Sequence, residues 1–204
     1  MESNLRKIIH SAHNSERREP EFRLPDGSVI FVRRPPDEEF EQLYSLSTAE
    51  IGPRVAPFEL VKAVYRHNSD TFWGVYYVKA GSDEVRFIGH YSFLHLNDAG
   101  RDALESGTFN PVEPLLEHLA AEGEKPTVVY IWAIVAKKVA RIATPLVAKA
   151  LGKERYGGVP IYTSAATLGG LATIKSYGFV NVRPAQMGLG DLFRLDGDQA
   201  APAA

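Results

Sequence analysis

The sequence predicts an α/β (α+β) domain in which a mixed, mostly antiparallel central sheet is flanked by helices on both faces. Two stretches, "FWGVYYVKA" and "VRFIGHYSFLHL", are dense in aromatic and β-branched residues, and "AGSDE" joins them as a hairpin loop. Downstream, strands and helices alternate, which requires at least one parallel pairing. The chain has 204 residues, 45% of them hydrophobic and 24% charged, which suits one soluble domain with a substantial core.

The elements follow in order. A polar arm of mixed charge is expected over 1–22, with "SERREP" as a solvated stretch. "SVIFVRRP" follows the turn residues Pro25-Asp26-Gly27 and reads as the first strand. "PPDEEFEQLYSL" opens on proline and acids, as a helix N-terminus does, and then places Phe40, Leu43 and Tyr44 on one face. "APFELVKAVYRH" repeats the pattern with Phe58, Val61 and Tyr65. The hairpin comes next. A polar insertion over 97–126 carries one expected helix at "VEPLLEHLAA". "TVVYIWAIVA" is the longest apolar run and reads as a buried strand. A basic turn, the helix "PLVAKALGK", the strand "VPIYTSA", the helix of "TLGGLATIKSYGF" and a last strand region complete a single domain over 23–194. The remainder, 195–204, reads as a tail.

Composition excludes several functions. The net charge of −2 asks for neither nucleic acid nor an anionic membrane. There is no cysteine, so disulfides, thiolate metal sites and a cysteine nucleophile are excluded together. No HExxH, GxSxG or Walker loop occurs, and the histidines are scattered, so no metal is expected. The N-terminus lacks the apolar core of a signal peptide, and no run reaches membrane-spanning length; a cytoplasmic protein is the simplest expectation.

The strand-to-helix unit from Thr127 to Lys149 is the most informative segment. With the helix expected to begin near Thr144-Pro145, its first N–H groups and dipole would favour an anion such as pyrophosphate. Lys137, Lys138 and Arg141 add positive charge nearby. An ordinary strand-to-helix turn with solvated lysines explains the same residues.

Taken with the element order, this unit resembles the GNAT superfamily of acyl-CoA-dependent N-acyltransferases over roughly Ser28 to Val182. The family's Q/R-x-x-G-x-G/A loop, which binds the CoA pyrophosphate, aligns with Lys138 at Q/R, Arg141 at the first glycine and Ala143 at the final small residue. The resemblance implies a cofactor site formed by Ile134, Val135, Ala136, Lys138, Arg141, Ile142, Ala143 and Thr144. Two departures stand out: Arg141 carries a side chain where glycine lets the backbone approach phosphate, and Pro145 removes a donor from the expected first turn.

Gly178-Phe179 matches the family's later Gly-Phe. The family's Asn position falls on Ala166 or Thr167, and the tyrosine proposed to protonate the departing thiolate falls on Ile174, which has no proton to give. Tyr177 could be a displaced donor, although half-buried core is the commoner fate of such a tyrosine; Tyr162, Thr163 and Ser164 on the preceding strand are alternative donors. For a general base the strand at Thr127–Ala136 offers no carboxylate. His90 is a titratable candidate, with His95 pointing to the opposite face of the same strand. A structural histidine is the competing explanation for each.

The resemblance implies an N-acyltransferase that moves an acyl group from acetyl-CoA or another acyl-CoA, as co-substrate, to a primary amine of a small molecule or protein. The alternative is a binding or regulatory module on the same fold, because Arg141, Pro145 and Ile174 replace residues the usual chemistry uses. A homodimer, with contacts through the insertion, is a further expectation.

Overall fold

The two aromatic runs form the centre of the sheet. The computed structural model describes residues 19–52, 55–136, 138–165, 168–184 and 190–197. Strand β1 (Glu21–Arg23) pairs with β2 (Val29–Arg33), so Glu21 and Phe22, read from sequence as arm, belong to the sheet. The arm up to residue 18, the tail from 198, Lys137 and the Ala166-Thr167 pair lie outside the described residues. A short 3₁₀ turn at Asp37–Glu39 leads into helix α1 (Phe40–Ile51), which buries Phe40, Leu43 and Ser47. Helix α2 (Phe58–His67) buries Val61 and Val64, as its spacing predicts. Then come β3 (Phe72–Val78) and β4 (Val85–Leu96), the expected hairpin.

In the insertion the helix lies elsewhere than the sequence suggested. Helix α3 spans Asp98–Ser106, where the Asn97 side chain accepts from the Gly100 N–H and Leu104 is buried. "VEPLLEHLAA" gives only a 3₁₀ turn at Leu116–His118, with Leu115 and Leu116 exposed. An N-cap and one buried leucine outweigh a leucine pair that finds nothing to pack against.

The second half begins with β5 (Val128–Val135), followed by α4 (Ala140–Leu151), a single turn α5 (Lys153–Tyr156) and β6 (Ile161–Thr163). Helix α6 (Leu168–Ser176) ends at Gly178, whose φ of 82° is the left-handed cap the Gly-Phe pair suggested. Then follow β7 (Val180–Arg183) and β8 (Leu192–Leu195). The eight strands form one sheet ordered β1-β2-β3-β4-β5-β6-β8-β7. Only β5 and β6 run parallel; β8 inserts between β6 and β7 and pairs antiparallel with both.

Helices cover both faces, as expected. Against one face α4 packs Ala143, Leu146 and Val147 onto Val32, Val75, Tyr91 and Phe93. Against the other, α1 and α2 pack Leu43, Val61 and Val64, and α3 adds Leu104. On the α4 side a charge cluster closes the end of the sheet away from the α4 start. Asp70, buried, accepts from Arg34, from Arg155 at 2.7 Å and from the Tyr156 hydroxyl at 3.0 Å.

Candidate functional site

Strands β5 and β6 pair over a short distance and then part. Val129, Tyr130 and Ile131 oppose Ile161, Tyr162 and Thr163. Beyond Ile131, β5 continues to Val135 with no strand partner on that edge among the described residues, while β6 ends at Thr163. The backbone groups from Trp132 onward therefore face a gap that opens toward the start of α4.

A bulge sets which residues look into the gap. In the β4–β5 ladder Ser92 opposes Ala133 and Phe93 opposes Ile131, so Trp132 is the extra residue. Two successive side chains, Trp132 and Ala133, then lie on the α1/α2 face and line a cavity there. The shifted phase sends Ile134 to the α4 face, where it is exposed. Gly89 of β4 approaches β5 so closely at Val135 that a Cβ would meet the Val135 carbonyl.

On the α4 face, the helix starts at Ala140, earlier than the sequence suggested. The Val139 carbonyl accepts from both Ile142 and Ala143, a tight first turn. Pro145 consequently sits inside the helix, where its missing N–H costs a bond to the Arg141 carbonyl and subtracts nothing from the anion-facing turn. Lys138 and Arg141 are exposed, Ala143 is fully buried beneath them, and Val135 and Ala136 are buried at the strand end. Tyr91 braces the turn: its hydroxyl lies 2.8 Å from Thr144 Oγ1 and donates to the Ala140 carbonyl at 3.3 Å. Burial pushes the Tyr91 hydroxyl up to about 12; Thr144 opposes the rise, and Tyr177 is near enough to add to it. Tyr177, just past α6, is half-exposed.

The cavity on the opposite face has a volume of about 540 Å³. Its walls come from α1 and α2 (Leu43, Ser47, Val61), from Thr108–Pro111 of the insertion, and from both arms of the gap, Ala133 and Ser164. Trp132 donates from Nε1 to the Pro111 carbonyl at 2.7 Å, tying the insertion to the bulge. The insertion thus forms part of the cavity wall. Tyr130 is buried, with its hydroxyl against Ser164; burial raises its pKa, while Ser164 and the charge of Arg183 pull it down.

Among the candidate catalytic residues, Ser164 lies on the cavity wall, whereas Tyr177 does not line the cavity. His90 is fully buried behind the wall. Its Nε2 lies 3.1 Å from Ser47 Oγ, whose hydroxyl donates to the Leu43 carbonyl. Ser47 then accepts from His90 Nε2–H, which leaves Nδ1 unprotonated and without a partner. Burial pushes the His90 imidazole down to about 4. His90 and His95 do point to opposite faces, toward Ser47 and Tyr156 respectively. Ile174 is half-buried on α6.

Tyr91, Trp132 and Arg183 emerge as site residues that sequence patterning did not single out. Among the described residues, no group of His, Cys, Asp and Glu is placed to hold a metal. No helix there is long and apolar enough to cross a membrane.

No family model and no curated protein matches this sequence. Solved structures do match in shape. The loading GNATL domain of CurA from Lyngbya majuscula superposes with a TM-score of 0.52 at 12% identity, covering 82% of this chain and 97% of that one. The chain has the GNAT fold. Two other solved structures align over a similar span. An acetyltransferase of the GNAT family from Staphylococcus aureus Mu50 gives a TM-score of 0.49 at 10% identity, covering 82% of this chain and 98% of that one. Arabidopsis thaliana NAA60, in complex with a bisubstrate analogue, gives 0.48 at 18% identity, covering 82% and 97%. At such identities the likeness fixes the GNAT fold and leaves the chemistry to this chain's own residues.

Proposed function

We propose that this GNAT-fold protein is a cytoplasmic N-acyltransferase that moves an acyl group from acetyl-CoA or another acyl-CoA to a primary amine of a small molecule or protein. The observation that supports this reading is the gap between β5 and β6. It joins the basic start of α4 on one face to the cavity on the other, and both of its arms line that cavity. The residues fit the donor. Lys138, Arg141 and the first turn of α4 suit a pyrophosphate. The unpaired edge of β5 offers backbone partners to the amide-bearing arm of CoA.

In this reading the amine lone pair attacks the thioester carbonyl inside the gap. The N–C bond forms and the C–S bond breaks. The ammonium proton passes to water in the cavity, because no carboxylate lines it among the described residues. The departing CoA thiolate takes a proton from Tyr177, which is exposed enough to be reprotonated by solvent. Rate enhancement rests mainly on positioning and on donors aimed at the carbonyl.

Isothermal titration with acetyl-CoA and longer acyl-CoAs tests the donor site; no binding across the series would sink the proposal. Thiol release across an amine panel tests turnover, and steady release with any amine separates an enzyme from a binding module. Tyr177→Phe is expected to lower kcat about 100-fold or more. An unchanged kcat would remove Tyr177 from the donor role.

A further inference from the structure

Arg183 is the single charged side chain among the described residues lining the cavity. Its position is built. In the β7–β8 ladder Asn181 opposes Phe193, whereas Arg183 opposes Leu192, so Val182 is an extra, bulged residue. Without that bulge Arg183 would share the face of Asn181. With it, Arg183 joins Leu192 on the cavity side. Its Nη1 donates to the Leu104 carbonyl at 2.9 Å, which fixes the guanidinium against α3. Its Nε is buried and has no partner among the described residues. A guanidinium anchored by one η nitrogen at the wall of a partly apolar cavity brings its positive charge there, which favours an anion.

The surroundings define the rest of the ligand. Arg183 is close enough to Tyr130 to act on its ionisation, and the Tyr130 hydroxyl meets Ser164 on one arm of the gap. The anion site is therefore adjacent to the place where the acyl group would be transferred. Phe72, Phe109, Val61 and Leu192 make the remaining wall largely apolar. One fixed guanidinium matches one negative charge, and its planar edge suits the two oxygens of a carboxylate.

We infer that the acceptor is a free amino acid or a close amino-carboxylate with an apolar side chain, its carboxylate held by Arg183 and its amine beside Ser164. This rests on the acyltransferase reading for the transfer step, whereas the carboxylate site stands on the cavity alone. A protein amine, lacking the neighbouring carboxylate, would leave Arg183 unpaired.

The experiment compares leucine, methionine and phenylalanine with their decarboxylated amines, by calorimetric titration of the full chain with CoA present. At least one amino acid is expected to bind about 10- to 100-fold tighter than its amine. Arg183→Leu should erase that preference, and Arg183→Lys should keep part of it. Thermal unfolding of both variants checks that they fold; if Arg183→Leu does not, Arg183→Lys and the wild-type preference decide. Equal binding of acid and amine, no binding of any amino acid, or an undiminished preference in the variants would overturn the inference. Carboxylate-dependent binding without thiol release would overturn the transfer reaction and leave the site standing.

Discussion

Replacing Pro145 by alanine separates the two positions the residue could hold at the start of α4. If Pro145 lay in the anion-facing first turn, alanine would add a donor to the pyrophosphate site and tighten CoA binding. In the structure the helix begins at Ala140 and Pro145 is interior and exposed, so the restored N–H points back to the Arg141 carbonyl. An interior proline costs roughly 3 kcal/mol relative to alanine in an exposed helix. Its loss also frees the unfolded chain, which returns about 0.4–1 kcal/mol. The net expectation is a stabilisation of about 2 kcal/mol. For a chain of this size that raises Tm by roughly 4–8 °C, at about 2–4 °C per kcal/mol. Differential scanning calorimetry reads the Tm, and titration with acetyl-CoA reads the affinity, expected unchanged. Several-fold tighter CoA binding with no rise in Tm would refute the placement of the helix start.

Two further predictions concern stability. His90 and His95 are both pushed down to about 4 by burial, so each is neutral when folded and takes up a proton on unfolding between about pH 6.5 and 4. Their contribution is present above pH 6.5 and lost as pH falls through 4, with a slope of roughly 2.7 kcal/mol per pH unit for two protons. Urea unfolding at several pH values measures it; His90→Gln and His95→Gln should each halve the slope, and an unaltered slope would show the histidines already protonated in the fold. Gly178→Ala has open space for its Cβ but must hold φ at 82°, so the backbone alone costs about 1–2 kcal/mol. A Tm equal to wild type would mean that α6 does not need this cap.

The sequence by itself determined the fold class and the element order outside the first strand and the insertion. The hairpin, α2 and the Gly178 cap depend on local periodicity or on one residue's backbone freedom, and local signals are what a sequence displays. It also displays the basic residues Lys137, Lys138 and Arg141 after the apolar strand and an isoleucine at position 174. The helix of the insertion was misread because "VEPLLEHLAA" and the true α3 differ only in what each finds to pack against. The site needed the tertiary structure. Bulges at Trp132 and Val182 decide which side chains enter the cavity, yet "TVVYIWAIVA" is apolar throughout and carries no period to reveal a slip. His90 is legible as a titratable residue, but only the surrounding Phe72, Phe87 and Ser47 decide that it stays neutral behind the wall. Arg183 reads as one more charge on an edge strand until β8 inserts beside it and a single extra residue turns it inward. Strand pairing partners far apart in the chain set that turn, and their register is a property of the folded sheet rather than of any one segment.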